Sequence, residues 1–265
     1  MEENIIEVNK LVKKFGKITA VDKVSFNVKK GEIFAFLGPN GAGKTTTIKM
    51  LTTLLHQSSG TLKVNGFDTL KEQSEVRKSF GIVFQDPSLD DELTAYENME
   101  FHAVFYHVPQ KEIKGRVEKL LKFVELYDRK DFLVKTFSGG MKRRLEIARA
   151  LLHHPKILFL DEPTLGLDPQ TRNHLWDYVK ELNRKEGMTV FLTTHYMEEA
   201  DKISDRIAII DHGKIIKVGS GKELKKFTKT KNLEDAFLKL TGHIIREESS
   251  SSDTSRQHAR LWGRR

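Results

Sequence analysis

One short stretch limits what this chain can fold into more than any other: a glycine-rich run that ends in a lysine and two threonines. It consists of Gly38, Pro39, Asn40, Gly41, Ala42, Gly43, Lys44, Thr45 and Thr46. The run matches G-x-x-x-x-G-K-[ST], the pattern of a phosphate-binding loop. The apolar residues 33–37 before it are predicted to form a buried strand, and apolar residues recur at helical spacing after it. Because the loop needs a strand before it and a helix after it, we favour a nucleoside triphosphate site over an ordinary glycine-rich turn.

The residue types in this loop suit phosphate chemistry. Glycines let successive backbone N–H groups turn toward an anion, and the N-terminus of the following helix adds its dipole. Lys44 is expected to reach the β- and γ-phosphates, and the Thr45 hydroxyl is expected to ligate Mg²⁺.

Composition excludes several other classes of protein. The 265 residues contain no cysteine, which rules out disulfides and cysteine metal sites. Hydrophobic residues make up 38% and charged residues 31%, a profile typical of a soluble globular protein. The formal charge is +8, but the lysines are spread along the chain, so no nucleic-acid partner is expected. Residues 1–4 do not lead into the apolar segment of a signal peptide. No apolar run is long enough to cross a bilayer, so any membrane part is expected to come from a partner.

The hydrophobic periodicity predicts an α/β protein. Strands alternate with helices, which indicates a mostly parallel sheet, and the first segment of the chain is rich in strands. The core is assigned to residues 1–88 and 155–220, with a helical insertion at 89–154. We expect a C-terminal helical extension at 221–246 and a disordered tail at 247–265.

A second set of polar residues is predicted at the edge of the sheet that carries the phosphate loop. An apolar strand over residues 157–160 runs directly into Asp161 and Glu162. Ligands of open α/β sheets bind at the carboxyl ends of the strands, so Asp161 is expected to face the Mg²⁺ ion and Glu162 to polarise the attacking water. His195 ends the next strand and is expected to lie along the same edge. The pair His153–His154 has no such context and is predicted to lie at the surface.

A third motif indicates the family. Residues 137–145, Phe-Ser-Gly-Gly-Met-Lys-Arg-Arg-Leu, resemble the signature motif of ABC-transporter ATPases. The phosphate loop, Gln85, residues 157–163, Leu167–Asp168 and His195 complete the landmarks of that family in the family's order. The resemblance covers about residues 4–220. It implies a P-loop NTPase core of the RecA-like type, with an N-terminal antiparallel β subdomain and an inserted helical subdomain.

The resemblance also implies roles for residues around the nucleotide. Phe15 stands where the family places the aromatic that stacks on adenine, although its position beside a turn alone would favour a core residue. Gln85 matches the loop glutamine that contacts Mg²⁺ and the attacking water. Glu162 matches the catalytic glutamate and His195 the switch histidine. ATP and Mg²⁺ are therefore the expected ligands.

Other matched residues imply a dimer. Ser138, Gly139 and Gly140 match the segment that binds the γ-phosphate of ATP held by the opposite subunit, and Asp168 matches a dimer-contact loop. The implied assembly is a head-to-tail homodimer, or a heterodimer with a related ATPase, with ATP at the interface. Two departures are visible: the signature has Phe137 and Met141 where leucine and glutamine are commoner, and Gly166 replaces a common alanine. Methionine at position 141 removes an amide hydrogen bond from the expected subunit contact.

Residues 137–144, 164–169 and 233–242 resemble most closely the daunorubicin-resistance type of prokaryotic drug exporter ATPase. That group implies a separate transmembrane permease subunit, a peripheral location at the cytoplasmic face of the cell membrane, and export of a drug-like or lipid-like substrate. The surface at residues 87–93 is expected to expose Leu89 and Leu93 for docking of that permease.

The alternative is a soluble ABC ATPase of translation or DNA maintenance. Those translation factors usually carry two such domains in one chain. The chromosome proteins place a very long coiled coil between the phosphate loop and the signature, where this chain has a compact block. A kinase or small GTPase is opposed by the signature motif.

Overall fold

The computed structural model describes residues 3–242. Its strands are β1 (Asn4–Phe15), β2 (Ile18–Lys29), β3 (Ile33–Leu37), β4 (Ser59–Val64), β5 (Phe67–Asp68), β6 (Phe80–Val83), β7 (Ile157–Asp161), β8 (Thr189–Thr193), β9 (Arg206–Asp211) and β10 (Lys214–Gly219). Its helices are α1 (Lys44–Leu51), α2 (Gln73–Ser79), α3 (Ala95–Phe105), α4 (Gln110–Phe123), α5 (Gly139–Ala150), α6 (Pro169–Glu186), α7 (Met197–Ile203), α8 (Gly221–Thr228) and α9 (Leu233–Thr241). Short 3₁₀ turns lie at Tyr127–Arg129 and Val134–Thr136.

The strands form two sheets of different character. The first has the order β2-β1-β4-β5 and is antiparallel throughout. The second has the order β10-β9-β3-β8-β7-β6. Neighbouring strands from β9 to β6 are parallel, and β10 is antiparallel to β9. The expected α/β fold with a mostly parallel sheet and an N-terminal antiparallel part is confirmed.

The parallel sheet is covered on both faces, which explains why β3, β7 and β8 are buried along their whole length. Side chains alternate between the faces along a strand. In β3, Phe34 and Phe36 pack toward the antiparallel sheet and α1, while Ile33, Ala35 and Leu37 pack toward α6, α7 and α9. The two faces therefore belong to two separate hydrophobic clusters.

The segment between β6 and β7 forms a third cluster of its own. Helices α3, α4 and α5 contribute its buried side chains, among them Met99, Val117 and Leu145. Ser138 caps α5 by accepting a hydrogen bond from the Met141 N–H at 3.3 Å, as its position before the apolar stripe predicts. The cap fixes where the signature segment turns into a helix.

Two surface predictions hold only in part. His154 is exposed, as predicted, but His153 is partly buried: its Nε2 lies 2.8 Å from the Phe80 carbonyl oxygen and its ring stacks on Tyr106 with centroids 4.0 Å apart. The sequence pattern misses this because the partners come from β6 and the end of α3. Leu89 and Leu93 are half-buried, and Leu89 packs against the cluster of the helical segment.

The C-terminal part of the described chain packs against the core. Leu224, Leu233, Ala236 and Phe237 belong to the cluster between the parallel sheet and its helices. Residues 243–246 of the predicted extension and the predicted disordered tail 247–265 lie outside the described residues. Across residues 3–242, none of the helices has the length and apolar character that spanning a bilayer requires.

Candidate active site

The phosphate loop joins β3 to α1 at the carboxyl edge of the parallel sheet. Gly43 adopts φ 104°, and a Cβ atom there would lie 2.6 Å from the Ala20 carbonyl oxygen. Only glycine fits such a position. Helix α1 begins at Lys44, directly after this glycine, and has no side-chain cap, an arrangement that suits anion binding at a helix N-terminus.

Lys44 lies folded over the loop. Its Nζ donates hydrogen bonds to the carbonyl oxygens of Gly38 at 2.8 Å and Pro39 at 3.3 Å. The same Nζ lies 3.9 Å from Glu162 Oε1, and both side chains are more than nine-tenths buried. The loop, its lysine and the carboxylate after β7 thus form one site.

Asp161 sits at the end of β7 in contact with the first turn of α1. Thr193 donates a hydrogen bond to Asp161 Oδ1 at 2.7 Å, and the Thr45 hydroxyl also hydrogen-bonds this carboxylate. Burial raises the pKa of Asp161, and the neighbouring Glu162 charge adds to the rise, against the hydrogen bonds from Thr193 and Thr45 and the charge of Lys44. Of the three residues predicted to hold Mg²⁺, Thr45, Gln85 and Asp161, the structure brings Thr45 and Asp161 into direct contact.

Glu162 is held in an uncommon backbone conformation, with φ 52°. Its N–H donates to the carbonyl oxygen of Thr193 at 3.2 Å and to the Thr193 hydroxyl at 3.0 Å. Its Oε1 lies 2.8 Å from His195 Nε2, a hydrogen-bond distance. A left-handed conformation in a non-glycine residue costs on the order of 1–3 kcal/mol and tends to occur at functional sites. Contacts to β8 hold the Glu162 side chain between Lys44 and His195.

Gln85 and Phe15 are positioned by two other strands, β6 and β1. Gln85 follows β6, and its backbone carbonyl accepts a hydrogen bond from Arg143 at 3.0 Å. Phe15 is 48% exposed at the β1–β2 turn, with Lys13 Nζ 5.1 Å from its ring centroid. Strand β2 then contacts the phosphate loop through Ala20. Phe15 is therefore free to stack on a base rather than being a core residue.

The signature segment and Asp168 form a second group. Ser138 and Gly139 are exposed, and a Cβ atom at Gly140 would lie 2.5 Å from Thr171 Cγ2. Asp168 caps α6: its carboxylate accepts hydrogen bonds from the N–H groups of Gln170 and Thr171, both at 3.0 Å, and from the Thr171 hydroxyl. These hydrogen bonds, that of the Thr171 hydroxyl foremost, lower the pKa of Asp168. The signature glycines therefore lie against the start of α6 in the same chain.

Sequence reasoning missed several residues that hold the site together. Thr193 contacts both Asp161 and the backbone of Glu162. Its place as the last residue of β8, two residues before His195, is a signal that could have found it. The other missed residues are Arg172 and Glu199, whose partners are distant in the chain.

Arg172 and Glu199 connect the Asp168 loop to the His195 loop. Arg172 donates to the Leu167 carbonyl oxygen at 3.0 Å, and its guanidinium lies 4.3 Å from the Tyr196 ring centroid. Glu199 accepts from Thr164 at 2.9 Å, and burial raises the pKa of Glu199. No sequence motif points to this connection, because the residues meet only in the folded chain.

Comparison with known proteins identifies the family. A sequence profile of the ABC transporter family matches residues 21–165, more than half of the chain. The chain belongs to the ABC transporter family. It is an ATP-binding subunit of that family, and membership implies ATP hydrolysis coupled to transport.

Two curated relatives are drug-resistance proteins. The chain is 46% identical over 220 residues to the linearmycin resistance ATP-binding protein LnrL of Bacillus subtilis, covering 83% of this chain and 70% of LnrL. It is also 46% identical over 220 residues to the daunorubicin/doxorubicin resistance ATP-binding protein DrrA of Streptomyces peucetius, covering 83% of this chain and 66% of that protein. The predicted resemblance to drug exporter ATPases is confirmed, and these relatives lend no support to a role in translation or DNA maintenance.

A solved ABC cassette shares the fold. It is described as the dimeric structure of a post-hydrolysis state of an ATP-binding cassette bound to ADP and Pi. The two structures superpose with a TM-score of 0.74 at 30% sequence identity, over 81% of this chain and 98% of that one. ABC cassettes of this kind form dimers and work with membrane subunits.

Proposed function

We propose that this ABC subunit binds ATP with Mg²⁺ in a head-to-tail dimer and uses hydrolysis to drive export through a separate permease subunit. The observation that carries the catalytic part is the meeting of Lys44, Glu162 and His195 at the phosphate loop, with Nζ–Oε1 and Nε2–Oε1 distances of 3.9 and 2.8 Å. A cation, a carboxylate and a histidine at the start of a helix are the groups that γ-phosphate hydrolysis requires.

Each of these side chains has a distinct part in hydrolysis. The backbone N–H groups at the start of α1 bind the phosphates, and Lys44 exchanges its two loop carbonyls for the β- and γ-phosphate oxygens. Glu162 accepts a proton from the water that attacks the γ-phosphorus. His195 orients that carboxylate and contacts the γ-phosphate. Gln85 contacts the metal and the attacking water.

The residues at the end of β7 suit Mg²⁺. The Thr45 hydroxyl and the Asp161 carboxylate are in direct contact, and Mg²⁺ is commonly held by one or two carboxylates together with substrate phosphates. When bound, the ion neutralises charge on the β- and γ-phosphate oxygens. A nearby cation also favours the ionised form of Asp161, which burial opposes.

The exposed signature segment supports a composite site. Ser138 and Gly139 are exposed at the start of α5, where a capped helix with bare glycine backbone can offer N–H groups to an anion. We assign Ser138, Gly139 and Gly140 to the γ-phosphate of ATP bound by the opposite subunit. The Asp168 loop, which lies beside them, contacts that subunit. The partner is a second copy or a related ATPase.

The names of the relatives suggest the cargo. LnrL and DrrA are named for resistance to linearmycin and to daunorubicin and doxorubicin, so we infer a drug-like or lipid-like substrate. We place the chain at the cytoplasmic face of the cell membrane, bound to its permease. Helix α3 offers the surface for that contact: Phe101, Val104 and Phe105 are 64%, 53% and 78% exposed and lie on one face.

The decisive test is Glu162→Gln. Loss of the general base should slow ATP hydrolysis by about 10²–10⁴-fold and leave ATP binding intact, so an ATP-bound dimer accumulates. Steady-state hydrolysis and size-exclusion chromatography with Mg-ATP measure both effects. The control is Glu181→Gln, on α6 and paired with Lys185, which should behave as wild type. Near-normal hydrolysis in Glu162→Gln would contradict the assignment.

A further inference from the structure

Three charged side chains on one face of α5 hold the segment that contains Gln85. Arg143 donates to the carbonyl oxygens of Phe84 at 2.6 Å and Gln85 at 3.0 Å. Glu146 accepts from the Ser88 N–H at 2.8 Å. Arg149 donates to the Ser88 carbonyl oxygen at 2.8 Å and also contacts the Ser88 hydroxyl. We call Arg143, Glu146 and Arg149 the α5 clamp.

Within the α5 clamp, Arg143 and Glu146 form a buried ion pair, whereas Arg149 is half-buried. Arg143 Nη1 lies 2.9 Å from Glu146 Oε2, and the two side chains are only 7% and 2% exposed. Burial lowers the pKa of the Arg143 guanidinium, and the charge of Glu146 opposes that shift. Each charge is therefore compensated by the other and by backbone groups of residues 84–88, which follow the end of β6.

We propose that the α5 clamp positions Gln85 and couples it to the signature segment of the same subunit. Helix α5 begins at Gly139, directly after Ser138, and it is 12 residues long. A helix transmits displacement along its length because its hydrogen bonds are internal. A shift of the signature end is therefore passed to the backbone of Gln85 through Arg143 and Glu146.

The coupling through α5 has a consequence for the two ATP molecules of the dimer, and this consequence rests on the proposed function. The signature segment acts on ATP in the opposite subunit, whereas Gln85 acts on ATP in its own subunit. One α5 helix thus links the two composite sites of the dimer. Binding of ATP at one site favours the catalytic arrangement at the other, which makes hydrolysis cooperative in ATP. Arg143, Glu146 and Arg149 are positioning residues and touch no nucleotide.

The test variant replaces both members of the Arg143–Glu146 ion pair, so that neither charge is left buried without its partner. Arg143→Met with Glu146→Met substitutes apolar side chains of suitable length for both partners, a change that buried ion pairs often tolerate. We expect the ATP Kd, measured in a Glu162→Gln background, to stay at its wild-type value. The kcat should fall by about 10–100-fold, the effect seen when groups that orient primary ligands are removed. The Hill coefficient for ATP should fall from above 1 toward 1.

A spin label on the segment that contains Gln85 reports the position of that segment independently of ATPase activity. The chain contains no cysteine, so Asp86→Cys, at an exposed position, takes a single spin label. Its spectrum should become more mobile in the double methionine variant. Arg143→Lys is the gentler variant for the case that the double variant does not fold. A lysine lacks the planar guanidinium group that hydrogen-bonds two carbonyls and a carboxylate at once. The changes in kcat, Hill coefficient and label mobility should therefore be in the same direction but smaller.

The control is a second arginine–glutamate pair in the helical segment. Arg116 Nη2 lies 2.6 Å from Glu112, and Arg116 also donates to the Leu152 carbonyl oxygen at 3.0 Å. Arg116→Met with Glu112→Met should change neither the Hill coefficient nor the spectrum of the label.

The outcomes separate the two proposals. Wild-type protein without ATPase activity, or with activity insensitive to Glu162→Gln, refutes the proposed function. An active, Glu162-dependent wild type refutes the coupling alone if its Hill coefficient is 1, or if the clamp variants keep wild-type kcat, cooperativity and label mobility.

Discussion

Asp161 carries a charge that its surroundings disfavour and that metal binding requires. Burial raises the pKa of this carboxyl, so the folded protein without ligand accommodates the charged form less readily than the unfolded chain does. As pH rises through that raised pKa, folding must accommodate a buried charge, and stability falls. Below the pKa of an unfolded aspartate this cost is absent.

We therefore predict opposite effects of Asp161→Asn on stability and activity. Without ATP and Mg²⁺, the variant should melt at a higher temperature than wild type, with a larger difference at pH 8 than at pH 4. Hydrolysis should fall by about 10²–10³-fold, as when one preorganised electrostatic group is removed. Thermal melts across pH and steady-state hydrolysis measure the two effects. A stability difference that shrinks as pH rises would contradict the assigned pKa direction.

We predict that Phe15 contributes measurably to ATP binding. It is exposed at the β1–β2 turn, and a base–aromatic stack contributes about 1–3 kcal/mol in nucleic-acid complexes. Phe15→Ala should raise the Kd for ATP by roughly 5- to 150-fold, whereas Phe15→Tyr should have a mild effect. Phe227→Ala, at a similarly exposed ring on α8, serves as the control in the same titration. An unchanged Kd in Phe15→Ala would remove Phe15 from the site.

These residues show which parts of the site the sequence could predict. Lys44, Thr45, Asp161 and Glu162 stand in local motifs, so their meeting follows from strand order and loop position. The connection through Arg172 and Glu199 depends on packing between elements far apart in the chain, and no local pattern encodes it.

At the scale of elements, the exposed face of helix α3 replaces residues 87–93 as the expected docking surface for the permease. The predicted contacts at Leu89 and Leu93 are unsuited to a simple test, since both side chains are half-buried and their replacement would also disturb the helical cluster. Periodicity predicts that this segment is helical, but it does not tell which apolar residues remain outside the cluster. The structure leaves Phe101, Val104 and Phe105 exposed on α3.

We predict that the exposed face of α3 is required for transport and not for hydrolysis. Phe101→Ser with Phe105→Ser should abolish co-purification with the permease and drug efflux in cells. The basal ATPase rate of the isolated subunit should remain, because the phosphate site is untouched. Phe227→Ser is the matched control at a distant exposed phenylalanine. Full efflux with the doubly substituted α3 would place the docking surface elsewhere.

At the scale of the whole molecule, the central strands of the parallel sheet were predictable because β3, β7 and β8 are short, apolar runs bounded by turn residues. The packing of the two sheets against each other was not predictable, because it depends on the stacking of Phe26, Phe34 and Phe191 between them, with ring centroids 5.5–6.0 Å apart.

The central claim is that each ATP site combines the phosphate loop of one subunit with the signature of another. Lys44→Ala removes the phosphate-binding cation of its own subunit. Ser138→Arg blocks the γ-phosphate position that the signature supplies to the other subunit. Each variant alone should be inactive, since both sites of a homodimer are then defective.

Mixing the two variants tests this claim most directly. In a heterodimer, one site combines the intact phosphate loop of the Ser138→Arg chain with the intact signature of the Lys44→Ala chain. We predict that ATPase activity reappears in the mixture in proportion to the heterodimer, which differently tagged chains and tandem purification quantify. Purified heterodimers with no more activity than either variant alone would contradict the composite site and indicate a site built within one chain.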